Sequence, residues 1–236
     1  MKRLQFHVGT SGFSYKEWKG SFYPQKLPAD QMLRFYAERF DAVEMNNTFY
    51  RMPKAAAVKA WAGEVPSGFQ FVIKSPQSIT HFRRLKENAE EPLKELLQVV
   101  TGLKKNLGPL LFQLPANFKK DTDRLRSFLK LLPRRQRVAF EFRHASWFDD
   151  EVFEVLTKRN AARCLAESDE TIETPFVATA DWGYIRLRLP RYSDADLKSW
   201  IKRIRRQKWD EAFVFFKHED EGKGPRFAKR FLELAG

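Results

Sequence analysis

A single closed (β/α)₈ barrel, a TIM-barrel domain over residues 1–236, is the fold this sequence predicts. Eight short apolar runs alternate with stretches of helical spacing, the pattern of a parallel sheet whose crossovers are helices. The length of 236 residues lies near the roughly 250 typical of such barrels. No repeat, low-complexity segment or Ser/Gly linker divides the chain.

The strands are expected at 5–9, 42–46, 69–74, 109–114, 137–142, 162–166, 183–188 and 212–217. Helical spacing runs over 31–40, 55–63, 92–105, 122–132, 150–159, 194–206 and 225–234. Asp121 or Thr122, and Ser193 or Asp194, suit N-caps, while Pro92 and Pro225 suit a first helical turn. An open doubly wound sheet would carry a glycine-rich phosphate turn after its first strand. Gly9-Thr10-Ser11-Gly12 lacks the third glycine and an immediate helix, which favours the closed barrel.

The composition narrows the class further. An apolar fraction of 43% excludes a disordered chain, and no run approaches the roughly 18 apolar residues of a membrane span. His7 and Gly9 interrupt the basic N-terminus before a secretory leader forms, so a cytoplasmic location without membrane attachment is expected. One cysteine, Cys164, excludes a disulfide framework and a thiolate-clustered metal site and reads as a small buried hydrophobe. There are 43 Lys and Arg against 30 Asp and Glu, a formal charge of +13.

Strands of a parallel barrel are covered on both faces and read as apolar throughout. Here they alternate. Glu44 and Asn46 share a face with Ala42; Gln70, Val72 and Lys74 share another. Leu111 with Gln113, Ala139 with Glu141 and Arg143, and Tyr184 with Arg186 and Arg188 repeat the pattern. The fully apolar sets must face the helices, which puts these polar sets on the barrel axis and late in their strands, where barrel enzymes place their chemistry. His7 joins them by parity, and on the last strand Phe213, Phe215 and Lys217 are preferred over Val214, Phe216 and His218. The inner charges sum to a cationic excess: Glu44 and Glu141 against Lys74, Arg143, Arg186, Arg188 and Lys217. Such a cup suits phosphate, sulfate or carboxylate. The alternative is an ion-pair network that satisfies itself and stiffens the barrel.

Residues 10–30 form a long first loop carrying Phe13, Tyr15, Trp18, Phe22 and Tyr23, either a functional lid or a segment pinned by its aromatics. Basic clusters at Arg83-Arg84-Lys86, Lys119-Lys120 with Arg124 and Arg126, Arg134-Arg135-Arg137, and Lys202-Arg203 with Arg205-Arg206 raise nucleic-acid binding as a second class. Solvated helix faces explain them equally well. His7, His81, His144 and His218 fall on or after strands, but without metal-ligand spacing, and no metal or cofactor is expected.

Several ordered motifs resemble the domain-of-unknown-function 72 (YecE-like) family. They are Gly9-Thr10-Ser11-Gly12-Phe13-Ser14-Tyr15 with Trp18, Gly20 and Phe22-Tyr23-Pro24, then Val43 through Tyr50 with Pro53. Phe71 to Lys74 follows with Ile79-Thr80-His81, then Leu107-Gly108-Pro109 with Gln113-Leu114-Pro115, and Glu141-Phe142-Arg143-His144 with Ser146-Trp147. The resemblance spans nearly the whole chain and implies a TIM barrel whose mouth these motifs build, with no established activity. The chain departs from the family pattern after strands seven and eight, reading Arg186-Leu187-Arg188-Leu189-Pro190-Arg191 and Lys217-His218-Glu219-Asp220-Glu221-Gly222.

The function expected is binding of an anionic, phosphorylated ligand at the carboxyl mouth, with metal-independent acid/base chemistry of a hydrolase, lyase or isomerase if it is an enzyme. Glu44 or Glu141 would be the base and Lys74 the acid or electrostatic stabiliser. Tyr15, Asn46, Gln113, Arg143, His144, Trp147, Arg186 and Lys217 would bind the ligand. The alternatives are a nucleic-acid-binding or endonuclease-like protein and a non-catalytic scaffold.

Overall fold

The computed structural model describes residues 4–167, 174–217 and 220–236. Its strands are β1 (Gln5–Thr10), β2 (Ala42–Met45), β3 (Gln70–Lys74), β4 (Leu107–Gln113), β5 (Val138–Glu141), β6 (Ala162–Glu167), β7 (Trp182–Leu187) and β8 (Glu211–Phe216). All pair in parallel, in the order β1-β8-β7-β6-β5-β4-β3-β2, the nearly closed ring of a TIM barrel. The helices are α1 (Met32–Ala37), α2 (Asn47–Tyr50), α3 (Ala55–Glu64), α4 (Glu90–Val100), α5 (Thr122–Lys130), α6 (Asp150–Arg159), α7 (Asp194–Arg205) and α8 (Lys223–Ala235). No helix among the described residues is long and apolar enough to cross a membrane.

Local chemistry sets the helix ends. The Asp121 side chain accepts from the Arg124 N–H to cap α5, and Ser193 and Asp196 form a reciprocal capping box on α7. Asn160, left-handed at φ 53°, stops α6. The helix expected over 92–105 breaks at Val100 into a 3₁₀ turn ending beyond Lys104, whose φ of 51° no helix accommodates. The short α2 and a one-turn π-helix at Ser78–Phe82 have no periodic signature in the sequence.

Ala42, Val72, Leu111, Ala139, Ala162, Cys164, Trp182, Tyr184, Phe213 and Phe215 pack together inside the barrel, as parity requires, while Val214 and Phe216 join the outer core. At the amino end His7 stacks on Phe213 with ring centroids 4.6 Å apart and meets Asp41 and Glu211 at 2.9 and 3.2 Å. Arg137 pairs with the same Glu211 at 2.5 Å and lies over the Phe213 and Trp182 rings. His7 is therefore part of the barrel floor. The first loop is pinned rather than free: Trp18 and Tyr23 are buried, Phe22 packs on Tyr36 and Phe40, and the Tyr23 hydroxyl donates to the Phe13 carbonyl at 2.5 Å.

The ring closes between β1 and β2 through side chains. Val8 N–H donates to the Asp41 carboxylate at 3.0 Å, and Thr10 N–H donates to the Tyr36 hydroxyl at 2.8 Å, which in turn donates to the Ala42 carbonyl at 3.1 Å. Only the Ser11–Glu44 bridge, with Gly12 N–H bonded to the Glu44 carbonyl at 2.7 Å, is direct. The close approach explains Gly9, where an added Cβ would stand 1.9 Å from the Ala42 carbonyl oxygen. Gly9→Ala is expected to cost about 3 kcal/mol by prising the seam apart. Tyr36→Phe, which removes only the bridging hydroxyl, should cost about 1–3 kcal/mol. Urea unfolding of the two variants checks the order.

Candidate functional site

Glu44 is the penultimate residue of β2 and Glu141 ends β5, both fully buried, and Arg186 on β7 is 1% exposed. Its guanidinium spans the barrel: Nη2 donates to Glu44 Oε1 at 2.7 Å and Nη1 to Glu141 Oε2 at 2.5 Å. Glu141 Oε1 also accepts from Gln113 at 2.7 Å, Arg188 at 2.6 Å and Arg143 Nε at 3.1 Å. Glu44 accepts from the Tyr184 hydroxyl at 2.6 Å and the Ser11 hydroxyl at 2.7 Å. Burial alone would raise both carboxyls. Arg186, Arg188 and Arg143 outweigh it at Glu141, holding it well below the usual range. At Glu44, Arg186 and the two hydroxyl donors do the same more mildly.

Once these pairs form, cations remain. Arg143 uses only Nε, so its terminal amino groups have no acceptor among the described residues, and Nε of Arg188 is buried without a partner. Lys74, at the end of β3 and 8% exposed, bonds to neither carboxylate; its Nζ sits 4.0 Å from the centre of the Phe49 ring. Burial, reinforced by Arg186 and Arg143 against the pull of Glu44 and Glu141, brings its pKa down to about 8. Thr48 secures this corner, its hydroxyl lying 2.6 Å from the Met45 carbonyl and 2.7 Å from that of Lys74.

The loop after β3 brings in His81 from the π-helical turn, where the wide turn carries it against Phe49 with ring centroids 4.9 Å apart. Thr80 Oγ1 lies 2.9 Å from its Nδ1. Burial, with Lys74 and Arg143 nearby, lowers its pKa. The turn is held by a strained exit, with Arg84 and Leu85 at φ of 48° and 60°. Tyr50 and Phe82, beside Phe49 and His81, are 76% and 72% exposed.

The expected residues thus divide. Glu44, Lys74, Gln113, Glu141, Arg143 and Arg186 come together, with Arg188 added. Asn46 continues the inner face of β2, and its side-chain carbonyl oxygen is buried without a partner. Tyr15 is half-buried, its hydroxyl committed to the Ser11 carbonyl at 2.7 Å. The His144 imidazole caps the turn Ala145–Trp147 by accepting from Ser146 N–H. Two further expected positions lie apart from the cluster. Trp147 is fully buried, stacked on Phe142 and donating its indole N–H to the Phe118 carbonyl at 2.6 Å, so it anchors the loop from beneath. Lys217 lies past the last paired residue of β8 and is exposed, outside the ion-pair cluster. His218 lies outside the described residues. His81 and Phe49 are the additions, marked in the sequence only by the Ile79-Thr80-His81 and Asn47-Thr48-Phe49-Tyr50 motifs. No group of three or more His, Cys, Asp or Glu among the described residues is placed to hold a metal ion.

Fold and site define a TIM-barrel protein with a charged, Arg-bridged carboxyl mouth. The chain belongs to the family described as Protein of unknown function DUF72, whose model matches residues 7–236. It is 25% identical to YunF of Bacillus subtilis across 97% of this chain and 94% of that protein. It is 32% identical to YecE of Escherichia coli K12 over 49% of this chain and 43% of the relative. A crystal structure of a DUF72 family protein from Thermotoga maritima superposes with a TM-score of 0.83 at 25% identity, covering 98% of both chains.

Two stability outcomes follow from the charges. Arg186→Met removes the guanidinium shared by two buried carboxylates, and for Glu44 the one ion pair it makes among the described residues, and should cost about 3–5 kcal/mol in urea unfolding. The carboxylates' own contribution is present above their unfolded pKa near 4.5 and drains away as pH falls through the lower folded values. Lys74 has the opposite sense, because the folded state binds the proton less well than the unfolded chain. Its cost is fully present below pH 8 and disappears between about 8 and 10.5. Lys74→Met should therefore stabilise the protein by about 1–3 kcal/mol at neutral pH, with the gain gone by the upper end of that window.

Proposed function

We propose that the barrel mouth binds a small anionic ligand, a phosphate ester or carboxylate, and moves protons on it through Lys74 and His81. The observation that carries this is the cationic remainder. After Glu44 and Glu141 are consumed by Arg186, Gln113, Tyr184, Ser11 and one nitrogen each of Arg143 and Arg188, the cationic groups left without a protein acceptor among the described residues are the Arg143 amino groups, Nε of Arg186 and Arg188, and Lys74 Nζ. Arg143 offers the planar pair suited to a phosphate or carboxylate.

The base expected among the carboxylates is reassigned on physical grounds. A carboxylate held well below its usual pKa by several guanidiniums is a weak proton acceptor. In this reading Glu44 and Glu141 position the arginines. Lys74, near pKa 8, and His81, kept neutral close to physiological pH, are matched to proton transfer. The unpartnered Asn46 oxygen would accept from a ligand hydroxyl.

A second reading, single-stranded nucleic acid at the same mouth, draws support from the exposed rings of Tyr50 and Phe82, which suit base stacking. The outer basic clusters support it less. Arg203 stacks on Phe176 and Trp200, Arg205 donates to the Ala235 carbonyl, and Arg124 and Arg126 pair with Asp121 and Asp123. Titration calorimetry with inorganic phosphate and with a sugar phosphate tests the first reading. Arg143→Ala should weaken binding about tenfold or more, and Lys217→Ala should leave it unchanged. Tight oligonucleotide binding that falls steeply with salt, survives Arg143→Ala and disappears with Tyr50→Ala and Phe82→Ala would replace it by the second.

A further inference from the structure

A lysine inside a barrel mouth serves as counterion, as fixed positive charge, as proton carrier or as nucleophile, and the surroundings of Lys74 fit the last two. It is not a counterion: the carboxylate oxygens of Glu44 and Glu141 take their hydrogen bonds from Arg186, Arg188, Arg143, Gln113, Tyr184 and Ser11, and Nζ has no acceptor among the described residues. It is poorly suited to fixed charge, since burial and the adjacent Arg186 and Arg143 bring it to about pKa 8, leaving roughly a tenth of it as free amine at pH 7. Three arginines in the same cup already supply permanent charge. A desolvated lysine beside other cations is the arrangement that activates an amine for attack on carbonyl carbon. The Phe49 ring covers one side of Nζ at 4.0 Å from its centre, and Thr48 holds the Lys74 backbone carbonyl.

We infer that Lys74 condenses with the carbonyl group of an anionic carbonyl compound, a 2-oxo acid or a phosphorylated aldehyde or ketone, to form an imine at the barrel mouth. This rests on the anion-binding reading above and adds a covalent step to it. The lone pair of the neutral amine forms the N–C bond while the carbonyl π pair moves to oxygen, and one amine proton passes to that oxygen to give a carbinolamine. The nitrogen pair then forms C=N as the hydroxyl takes up a proton and leaves as water. The second amine proton is released, so that amine plus carbonyl gives imine plus water, with no oxidant or reductant consumed. His81, neutral and packed on the same Phe49 ring, is the group positioned to relay these protons. The free amino groups of Arg143 hold the carboxylate or phosphate.

The test is reductive trapping. The protein is incubated near neutral pH with cyanoborohydride and either pyruvate, dihydroxyacetone phosphate or the uncharged control acetone, then digested and weighed. With pyruvate the Lys74 peptide should gain the mass of pyruvic acid less one oxygen atom. Its yield should exceed that at the exposed Lys94 and Lys158 at least about tenfold, as expected from the larger free-amine fraction. Arg143→Gln should lower trapping of the two anions and leave acetone unaffected, and the better of the two anions identifies the charged group. Lys74→Arg, verified as folded by its melting curve, should give no adduct beyond the surface background. Labelling at Lys74 no higher than at the exposed lysines overturns the imine, and if phosphate still binds through Arg143 the anion-binding reading stands without it. Loss of both phosphate binding and trapping overturns the two together.

Discussion

The guanidinium of Arg186 is the constraint on which the carboxyl half of this barrel depends. One planar group bonds two fully buried carboxylates contributed by β2 and β5, 142 and 45 residues away in sequence, from its own place on β7. Neither glutamate tolerates burial alone, and Arg186 could not enter the barrel without both. The remaining lone pairs recruit Gln113, Tyr184, Ser11, Arg188 and Arg143, so a single exchange of charge fixes side chains from five strands or their ends. Rigidity of this kind costs desolvation and is better understood as positional accuracy than as stability.

The two ends of the barrel solve different problems. At the amino end, aromatic and ion-paired groups close the axis around Phe213, where His7, Asp41, Glu211 and Arg137 pair with one another. At the carboxyl end the rules of good folding are broken in one sector: a lysine without an acceptor, a π-helical turn, two consecutive left-handed non-glycine residues and two bare aromatic rings. These departures cluster after β2 and β3, and the rest of the molecule offsets their cost.

Much of the site was legible because strands have a strict period of two. Parity assigned Glu44, Lys74, Gln113, Glu141, Arg143, Arg186 and Arg188 to the axis, and Phe213 and Phe215 with them, without any knowledge of the loops. Legibility failed where the period stops. Lys217 follows the last paired residue of β8 and is exposed, although its N–H still bonds to the Leu187 carbonyl at 3.0 Å, so parity alone does not place its side chain. Trp147 belongs to a turn whose aromatic points down into the core, a choice made by Phe118 and Phe142 rather than by its own neighbours in sequence. His81 and Phe49 were overlooked because the short helix and the π turn that present them carry no periodic signal. Charge counting gives a surplus of cations on the inner face but not which of them is left unpaired.

The plugged floor imposes a traffic rule. Because His7, Phe213, Trp182 and Arg137 close the amino end and side chains fill the interior above them, the axis is not a conduit. In the proposed reading, a ligand held beside Phe49, His81 and Arg143 would have to leave by the carboxyl mouth through which it came, past loops that carry the exposed rings of Tyr50 and Phe82.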